Sequence, residues 1–467
     1  MLHYPEQNAR RKHDIRILVA LFIFLYCSLL ALASCGGATG NSATVSSGMV
    51  ADPVGVGNTA AINDPAGAND PSSINNAVAA AAQTNGTVTI SSAQTLSADL
   101  IIPSNVDVVI EKGGSIVKAS NYTLKINGPF SAGLYQVFSG FSPGDVTFGS
   151  GSVMQILPQW WGAKGDGVHD DTKAIQCAIN SIQVGTVYFA MSSYKITAPI
   201  MGKTGVNLKG AGMEYGGNTG TVLKPAGPIT ALDLSSASNL TLEDMSIDGG
   251  AITAGSVGVL IGGTGNNFTG EIEFSRISFS SLDIGIKLQS AWYIDFSNCY
   301  FEFNNTGVYG NLTSGGYATT VSFYKTRIAQ NTNYGVYYPG GGNGIRQLSF
   351  DNCDFELNGE TEIYLKNVSP LNITSSWFEH KNAPIAVQIM ATGPGNITGN
   401  YFGGEYSDGI TDNNGGNASY LNIANNSFSG LTNAVRFSGS CSNITLIGND
   451  FGGAKVILQG PNSSIQP

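Results

Sequence analysis

The sequence predicts an all-β chain folded as a right-handed parallel β-helix, with three strands in each coil and a short N-terminal capping helix. An apolar residue recurs five positions before a second one, and the pairs mostly follow each other after 22 to 27 residues. The leading members are Leu242, Phe274, Phe296, Phe323, Phe350, Ile373, Ile397, Ile423 and Leu446, and their partners are Ile247, Phe279, Phe301, Ile328, Phe355, Phe378, Phe402, Phe428 and Phe451. A fixed period of this size indicates a solenoid, in which each coil buries its apolar face against its neighbours. Helical spacing is absent from the repeats, and β-branched and aromatic residues dominate them.

The residues around the anchors predict the order of elements within a coil. A short alternating strand such as residues 294–296 leads into a polar turn, and the second anchor opens the next strand. A third strand follows, for example at residues 285–288. Asparagine recurs at one turn position as Asn400, Asn426 and Asn449. Because Asn tolerates the left-handed conformation and bonds to nearby backbone, we expect these side chains to form a hydrogen-bonded ladder.

The N-terminal residues are interpreted as an export signal rather than as part of the fold. A basic stretch precedes the apolar run of residues 17–32, and small residues then lead to Cys35. This ending resembles the bacterial lipobox, in which cleavage before the cysteine leaves a lipid on it; a simple transmembrane anchor is the alternative. A lipid on Cys35 would anchor the chain to a membrane without spanning it. Because Gly36 follows the cysteine, resemblance to Gram-negative lipoproteins favours a cell-envelope location at the outer rather than the inner membrane.

Composition divides the chain into four segments. Residues 1–34 are the predicted signal peptide, and residues 35–71 are a lipidated cysteine followed by a flexible tether of small and polar residues. Residues 72–158 form an N-terminal β subdomain or the first coils, beginning with a short helix. Residues 159–467 form the main β-helix. The sequence does not distinguish a monomer from a trimer.

Charge and cysteine usage exclude several classes of function. The net charge of −10 argues against a nucleic-acid partner, which requires a basic stripe, and against polyanionic sugars unless a cation such as Ca²⁺ bridges them. Cys299 and Cys353 share a register two coils apart, which places them ~10 Å from each other at ~4.8 Å per rung. A disulfide needs Cα atoms within roughly 7 Å, so we expect small buried fillers. No Cys/His cluster has metal-site spacing, so no metal site or cofactor is predicted, with a bridging Ca²⁺ left open.

The most informative stretch outside the repeats is residues 160–182. Its Asp170 and Asp171 are typical of a helix N-terminus, and the apolar residues that follow share one helical face. The stretch resembles the start of the pectate-lyase-superfamily (rhamnogalacturonase/epimerase-like) β-helix domain. The matching residues are Gly162-Ala163, Gly165-Asp166-Gly167, Asp170-Asp171-Thr172 and Ala174-Ile175. The resemblance covers Trp160 to the C-terminus and implies that the motif shapes the turn and helix that cap the open coil. A structural role for Asp166, Asp170 and Asp171 is therefore favoured over a catalytic one.

The resemblance implies a polysaccharide as the substrate class without deciding the reaction. The family includes hydrolases, lyases, epimerases and phage tailspikes, so its fold alone does not identify an activity. The chain lacks the Asn-Thr-Asp set of polygalacturonases, the Asp-Pro-His-Glu of mannuronan epimerases and the Trp-Ile-Asp-His of calcium-dependent pectate lyases. Those three activities are disfavoured, and candidate residues have to come from the repeats.

One candidate column consists of acidic residues directly after the second anchors. It contains Glu302, Glu356 and Glu379, with His380 beside the last. Glu356 and Glu379 belong to adjacent coils, so their backbones should lie ~4.8 Å apart. Carboxyl pairs near ~5 Å are typical of retaining glycosidases and pairs near ~6.5–9.5 Å of inverting ones. Crowding would also raise one pKa and create an acid–base pair. The alternative, which we favour, is a solvated structural column in a repeated Phe-Glu-x-Asn turn.

A second candidate column is the outward position of the third strand. Its candidate sugar-binding residues are Lys287, Tyr309, Tyr337, Tyr364, Gln388 and Arg436. Sugars stack on aromatic faces, and tyrosine hydroxyls supply polar contacts. Small residues two positions earlier would leave a shallow groove, in which Glu362 is a third candidate acid. Stacking of the rings for stability is the alternative interpretation of the tyrosines.

Two hypotheses follow from these columns. The first is a lipid-anchored enzyme that cleaves an extracellular polysaccharide, with Glu356, Glu379 and Glu362 as candidate acids and bases. Hydrolysis is favoured over elimination because a uronate lyase usually needs a basic or calcium-rich groove. The second is a non-catalytic β-helix that serves as a glycan-binding adhesin, a surface scaffold or a tailspike-like module. It predicts that Glu356 and Glu379 are exposed, salt-paired and outside any groove.

Overall fold

The protein is described by a computed structural model, which covers residues 59–62, 73–215, 219–265, 268–381, 385–413 and 415–466. The predicted signal peptide, Cys35 and most of the predicted tether lie outside the described residues. Within the described part, all pairings between the named strands are parallel, and the chain forms the predicted parallel β-helix. No helix in this part is long and apolar enough to cross a membrane.

The described part contains two α-helices and one 3₁₀-helix. Helix α1 spans Ser73–Thr84, the 3₁₀-helix spans Pro158–Trp161, and helix α2 spans Thr172–Asn180. The apolar face of α1 is buried at Ile74 and Val78 and packs against the first strands. The short helix predicted at the start of residues 72–158 is thus observed as α1 at the start of the stack.

The first coils have three strands on three separate sheets. Their strands are Thr59–Ile62, Thr87–Ile90, Ala93–Leu96, Leu100–Ile102, Asp107–Ile110, Ser115–Lys118, Leu124–Ile126, Phe130–Ala132, Phe138–Ser139 and Val146–Phe148. The first of these strands lies inside the predicted tether and pairs with Thr87–Ile90. These strands repeat the three-strand pattern of a coil.

The later coils form two long sheets. The 21-stranded sheet contains Asp166–Asp170, Gly185–Phe189, Ser193–Ile196, Val206–Gly210, Val222–Pro225, Leu240–Asp248, Thr269–Ser280, Ala291–Ser297, Tyr300–Glu302, Ala318–Tyr324, Arg327–Ala329, Ile345–Asp351, Asp354–Glu356, Leu371–Thr374, Trp377–His380, Gly395–Thr398, Tyr401–Gly404, Ser419–Ala424, Ser427–Ser429, Ser442–Ile447 and Ser464–Gln466. The 11-stranded sheet contains Ile200–Met201, Thr230–Leu234, Val257–Ile261, Ile284–Leu288, Thr306–Gly310, Tyr334–Tyr338, Thr361–Lys366, Ile385–Met390, Asp408–Thr411, Asn433–Phe437 and Lys455–Leu458. The first and second strands of each coil lie in the 21-stranded sheet, and the third strands form the 11-stranded sheet.

The predicted anchors stack in register through the core. Phe274, Phe296 and Phe323 are paired on successive strands, with ring centroids 4.7 and 4.6 Å apart. Phe355 and Phe378 stack in the same way at 4.8 Å. Each ring therefore buries its faces against the rings of the coils above and below, which confirms the repeat as the source of the core.

Both turns that flank the second strand carry a buried ladder of side chains. In the first turn, Asn400 Nδ2 donates to Asn426 Oδ1 at 3.0 Å, and Asn426 Nδ2 donates to Asn449 Oδ1 at 3.0 Å, as predicted. In the second turn, Asn331 links two further asparagines: it accepts from Asn304 Nδ2 at 3.1 Å and donates to Asn358 Oδ1 at 2.7 Å. That second ladder was not predicted.

The cysteines of the described part are free and buried. Cys299 N donates to Thr326 Oγ1, which lies one coil later at the same turn position, and Cys353 follows after one more coil. The predicted two-coil separation and the role of these cysteines as buried fillers are thus confirmed.

Helix α2 does not close an open end of the solenoid, contrary to what the family resemblance implied. Coils lie on both sides of it: Phe148 N donates to Ser181 O at 2.8 Å, and Ile156 forms a parallel bridge with Val187. The physical reason is that earlier coils already cover the apolar face that the helix would otherwise have had to shield. Cys177 on α2 accordingly contacts the backbone of Phe141.

Candidate functional site

The outward residues of the second strands form one continuous surface, which we call the carboxylate face. It consists of Tyr300, Glu302, Arg327, Asp354, Glu356, Trp377, Glu379 and Tyr401. The anchors between them point into the core, so strand alternation turns the flanking residues to the outside. The predicted adjacency of Glu356 and Glu379 is observed in the strand register.

Arg327 holds three carboxylates of this face together. Its Nε lies 2.6 Å from Glu302 Oε1, and its Nη2 lies 2.9 Å from Glu356 Oε2. Its Nη1 contacts Asp354 Oδ2. Glu302 and Glu356 lie two rungs apart, and Ala329 occupies the position between them. The small side chain of Ala329 leaves the space in which the guanidinium bridges both rungs.

On the carboxylate face, Asp354 is a carboxyl group with a raised pKa. Burial, together with the neighbouring Glu356 carboxylate, raises the pKa of Asp354 to about 6, against the opposing effect of Arg327. Its Oδ1 atom is buried and makes no hydrogen bond within the described part of the chain. A carboxyl group with a raised pKa, on a side chain that is 33% exposed, is suited to general acid chemistry.

Glu379 lies on the next rung, one step along the strand direction from Asp354. It is exposed, it accepts a hydrogen bond from Trp377 Nε1 at 3.1 Å, and it makes no ion pair with the described residues. Adjacent strands lie ~4.8 Å apart and two residues span ~6.6 Å along a strand, so the Cα atoms of Asp354 and Glu379 are about 8 Å apart. Asp354 and Glu379 therefore lie diagonally on adjacent rungs of the same outer face.

A cavity of about 510 Å³ opens beside the carboxylate face, and we call it the serine recess. It is lined by Glu214, Tyr215, Ser246, Asp248, Ser278, Ser280, Ser281, Glu302, Phe303, Arg327 and Gln330. Its floor is low because serines occupy the strand positions that hold Tyr300 and Glu302 one rung later. Tyr215, from the loop after residue 210, forms a wall and packs on Tyr300 with ring centroids 4.2 Å apart.

Aromatic side chains border the carboxylate face at both ends. Tyr215 and Tyr300 lie beside the recess, while Trp377 packs against Tyr401 with ring centroids 4.1 Å apart. Trp377 is 44% exposed, so one side of its indole is open to solvent. An open indole beside carboxyl groups is a common arrangement for holding a sugar ring.

The predicted tyrosine strip exists, but its rings cover one another. Lys287, Tyr309, Tyr337, Tyr364, Gln388 and Arg436 share one register on the 11-stranded sheet, as predicted. The Tyr309 and Tyr337 rings stack at 5.9 Å, and Tyr334 stacks on Tyr337 at 4.3 Å. Tyr337 therefore presents its edge rather than a face to solvent, which favours the alternative of stacking for stability.

Gln388 and Arg436 at the end of this column are less accessible than predicted. Gln388 is buried, and its amide lies near Met390 Sδ. Arg436 makes a bidentate ion pair with Asp408, with Nε and Nη2 at 2.7 and 2.6 Å from the two carboxylate oxygens. These two guanidinium nitrogens of Arg436 thus already bond to Asp408, which weakens the case for sugar binding by Arg436.

Glu362 does not lie in a surface groove, and its prediction as an exposed catalytic acid is wrong. The side chain is fully buried, accepts a hydrogen bond from Tyr406 Oη at 3.1 Å and contacts Asn358 Nδ2. The pairing between third strands skips this position, so Glu362 and Ile363 both point inward. Burial raises the pKa of Glu362 to about 8.

The same irregularity removes the predicted shallow groove. The small residues of that column face the core: a Cβ on Gly285 would meet Gly307 O at 2.6 Å, and one on Gly335 would meet Glu362 O at 2.5 Å. Small residues suit most positions of this column because successive backbones approach closely inside the coil. Strict alternation had predicted an outward direction for this column.

The aspartates of the family-like motif are engaged within that motif. Asp171 accepts from the backbone N–H groups of Lys164 and Gly165 at 2.6 and 3.0 Å. Asp166 accepts from Val168 N and His169 N, both at 2.9 Å. These bonds fix the turn before α2, in agreement with the favoured structural role.

Asp354, Arg327 and the serine recess were not singled out from the sequence. Asp354 precedes an anchor rather than following it, and the Arg327 position is occupied by different residue types in other coils. The available signal was the alternation itself, since residues on both sides of an anchor share the outer face. Among the described residues, no group of three or more His, Cys, Asp or Glu is arranged to hold a metal ion.

Comparisons with known proteins support the β-helix fold. Residues 160–227 match the family model described as rhamnogalacturonase A/epimerase, pectate lyase-like, and residues 313–466 match that of the right-handed beta helix region. The chain is 29% identical over 143 residues to a capsule K30/K69-specific depolymerase of Klebsiella phage K64-1, and this match spans 29% of the chain and 18% of the depolymerase.

Solved structures with a similar chain path include proteins of several kinds. ORF18 of Geobacillus virus E2 is 18% identical with a TM-score of 0.47, covering 64% of this chain and 61% of that one. The catalytic unit of a GH87 alpha-1,3-glucanase from Streptomyces thermodiastaticus is 15% identical with a TM-score of 0.46, covering 69% and 68%. PfbA, a surface adhesin of Streptococcus pneumoniae, is 11% identical with a TM-score of 0.44, covering 67% and 91%.

Proposed function

The chain carries a pectate-lyase-like segment and a right-handed β-helix region, and from this premise we propose that it binds and hydrolyses an extracellular polysaccharide at the carboxylate face. The observation that carries the proposal is the position of Asp354, whose pKa is raised, diagonally across from the exposed Glu379 on the next rung. The partial match to a phage depolymerase supports a polysaccharide as the substrate class.

Hydrolysis at this site requires one proton donor and one proton acceptor. Asp354, protonated below its pKa of about 6, donates its proton to the glycosidic oxygen as the bond to the anomeric carbon breaks. Glu379 takes a proton from a water molecule, and the resulting hydroxide attacks the anomeric carbon from the opposite side. Because water attacks the anomeric carbon directly, with no covalent glycosyl-enzyme intermediate, the product is expected to have inverted configuration.

The surrounding residues would hold the sugar rings and set the charge of the acid. Trp377 offers an open indole face, and the serine recess offers hydroxyl groups and space beside Glu302. Arg327 forms ion pairs with Glu302 and Glu356, and Glu356 in turn favours the protonated form of Asp354.

The proposal is tested by assaying the full-length protein against a panel of neutral and acidic polysaccharides. New reducing ends and the absorbance of unsaturated products are measured in parallel, because elimination yields the latter and hydrolysis does not. Asp354→Asn and Glu379→Gln are each expected to lower the rate at least 100-fold, whereas the exposed-site control Glu111→Gln should keep it. Unsaturated products, or full activity in both site variants, would contradict the proposal.

A non-catalytic glycan-binding role is the second candidate, and the Arg327 ion-pair cluster favours it. Arg327 pairs with Glu356, as that hypothesis predicted, although Glu379 is unpaired. A binding module would retard in polysaccharide-containing gels without producing new ends. Asp354→Asn would then leave retardation unchanged, while Trp377→Ala would reduce it.

We further propose that the protein is lipid-anchored through Cys35 at the cell envelope, with the outer membrane favoured. The support is the basic and apolar stretch that ends in Leu32-Ala33-Ser34-Cys35. Metabolic labelling with a radioactive fatty acid should mark the wild-type chain and leave Cys35→Ser unlabelled. Separation of inner and outer membranes then locates the labelled protein, and label in Cys35→Ser would exclude this anchor.

A further inference from the structure

The serine recess and the carboxylate face together are strongly acidic. Six carboxyl side chains lie on them: Glu214, Asp248, Glu302, Asp354, Glu356 and Glu379. Arg327 is the one cationic side chain among the described residues that line these two surfaces. Its Nε, Nη1 and Nη2 atoms already contact Glu302, Asp354 and Glu356. A negatively charged ligand therefore finds no uncommitted cation on this surface.

The same groups are well matched to an uncharged sugar. Sugar hydroxyls are hydrogen-bond donors, and ionised carboxylates are strong acceptors for them. Ser280 and Ser281 add short hydroxyl groups at the floor of the recess, and Gln330 adds an amide at its edge. Tyr215 supplies a partly open ring beside them, since it is 40% exposed. These hydrogen-bond acceptors, hydroxyl groups and the tyrosine ring can all contact a neutral sugar. None of them compensates the negative charge of an acidic sugar.

We infer that the site selects an uncharged polysaccharide and excludes chains that carry carboxylate or sulfate groups at the bound residues. This inference rests on the proposed function, because it assigns the substrate class of the same site. Like charges repel across the few ångströms between adjacent rungs, and the partly buried walls screen that repulsion less than bulk water does. Selectivity of this kind arises because an unfavourable contact weakens the binding of the charged polysaccharide relative to the uncharged one.

The first test measures binding to matched pairs of polysaccharides. Each acidic polymer of a panel, for example hyaluronan and homogalacturonan, is compared with its own carboxyl-reduced form in affinity gels with the full-length Asp354→Asn variant. The neutral form should bind at least 10-fold more tightly, and the difference should shrink when salt is raised from 20 to 500 mM. The double variant Glu214→Gln/Asp248→Asn leaves the proposed acid and base intact. At low salt it should reduce the difference in affinity between the neutral and the acidic form.

The outcomes separate this inference from the proposed function. If the acidic form of a polymer binds more tightly than its neutral form, the inference is overturned, but the proposed polysaccharide cleavage is not. Absence of binding to every neutral form, together with absence of cleavage, overturns both.

The second test measures the electrostatic field of the recess without any sugar. Ser280→Cys places a thiol in the recess, and Asn372→Cys places one on the first-strand surface, where its strand neighbours Ser349 and Asn396 are uncharged. A cationic methanethiosulfonate reagent should modify the recess thiol at least 10-fold faster than an anionic one, after subtraction of the wild-type background. The ratio at Asn372→Cys should lie close to one. Equal ratios at the two sites would overturn the inference.

Discussion

At the scale of single residues, Glu362 shows how one buried acid can link the stability of a coil to pH. It is fully buried, and burial raises its pKa from 4.5 to about 8. Tyr406, which reaches it with its hydroxyl group, is also buried. The acid is therefore neutral in the folded chain at pH 7 and ionised in the unfolded chain.

This difference predicts that the free energy of unfolding falls as pH rises. A carboxyl group whose pKa is raised by folding stabilises the fold fully below pH 4.5, and that contribution is lost as pH rises to about 8. The expected slope is up to ~1.4 kcal/mol per pH unit within this window. Urea unfolding at several pH values should show this slope in the wild type and in Glu111→Gln, and a flatter one in Glu362→Gln. An unchanged slope in Glu362→Gln would mean that the acid is ionised in the folded chain.

Asp354 predicts the pH dependence of cleavage. Its pKa of about 6 means that the proton-donating form is lost above that pH. The rate should therefore decline about tenfold per pH unit on the alkaline side, and a pH–rate profile on a cleaved polysaccharide measures this limb. Loss of Arg327, which opposes the raised pKa, should move the limb to higher pH in Arg327→Gln. A profile that stays flat from pH 6 to 9 would argue against Asp354 as the acid.

At the scale of the element, the buried asparagine ladder of the second turn is the feature that most constrains a coil. Asn331 donates to Phe301 O at 2.9 Å and Asn358 Oδ1 at 2.7 Å, and it accepts from both the backbone and side-chain nitrogens of Asn304. Asn331→Ala would remove the side-chain partner of Asn304 N and Phe301 O. Asn358 Oδ1 would keep its bond from Asn331 N, and Asn304 Nδ2 its bond to Phe279 O. Each buried group left without a partner costs about 1–3 kcal/mol, so a loss of at least ~2 kcal/mol is expected. The exposed ladder residue Asn396 provides the matched control, because Asn396→Ala should cost less than ~0.5 kcal/mol in the same unfolding experiment.

The turn after the second strand contains left-handed residues that are not glycine. Leu357 has a φ of 58° and is 43% exposed, so it bears backbone strain without contributing much burial. Leu357→Asn should raise the free energy of unfolding by about 0.5–1 kcal/mol, because Asn tolerates this conformation. Leu357→Val should lower it, since a β-branched side chain is least compatible with positive φ. Thermal unfolding of the two variants checks the opposite signs.

The anchors and the first-turn ladder could be predicted because each repeats in the sequence at a constant spacing. Asn400 and Asn426, for example, recur with the period of the coil. The direction of Glu362 could not be predicted in this way, because an irregular pairing at the strand start interrupts the alternation of sides. The ion pairs of Arg327 could not be predicted either, because they depend on which residues lie beside it on the neighbouring rungs.

At the scale of the whole molecule, the described coils before and after residue 159 form one continuous core. The junction consists of the aromatic residues Phe130, Phe138, Phe148, Trp160 and Trp161, whose ring centroids lie 5.0 to 6.5 Å apart. Trp160 also donates its indole N–H to Gly133 O at 3.0 Å. In a solenoid each coil is stabilised mainly by its neighbours, so removal of one neighbour exposes an apolar surface.

The final prediction follows from that junction and concerns truncation. A chain that begins at residue 159 would lack the coils that cover α2 and the tryptophans, whereas a chain that begins at residue 57 would keep them. The shorter chain should aggregate or bind the dye ANS strongly, because a large aromatic surface is left without cover. The longer chain should stay monodisperse with unchanged far-ultraviolet circular dichroism per residue. If the shorter chain were equally soluble and gave the same unfolding midpoint, residues 159–467 would fold independently and the first coils would be an appended module.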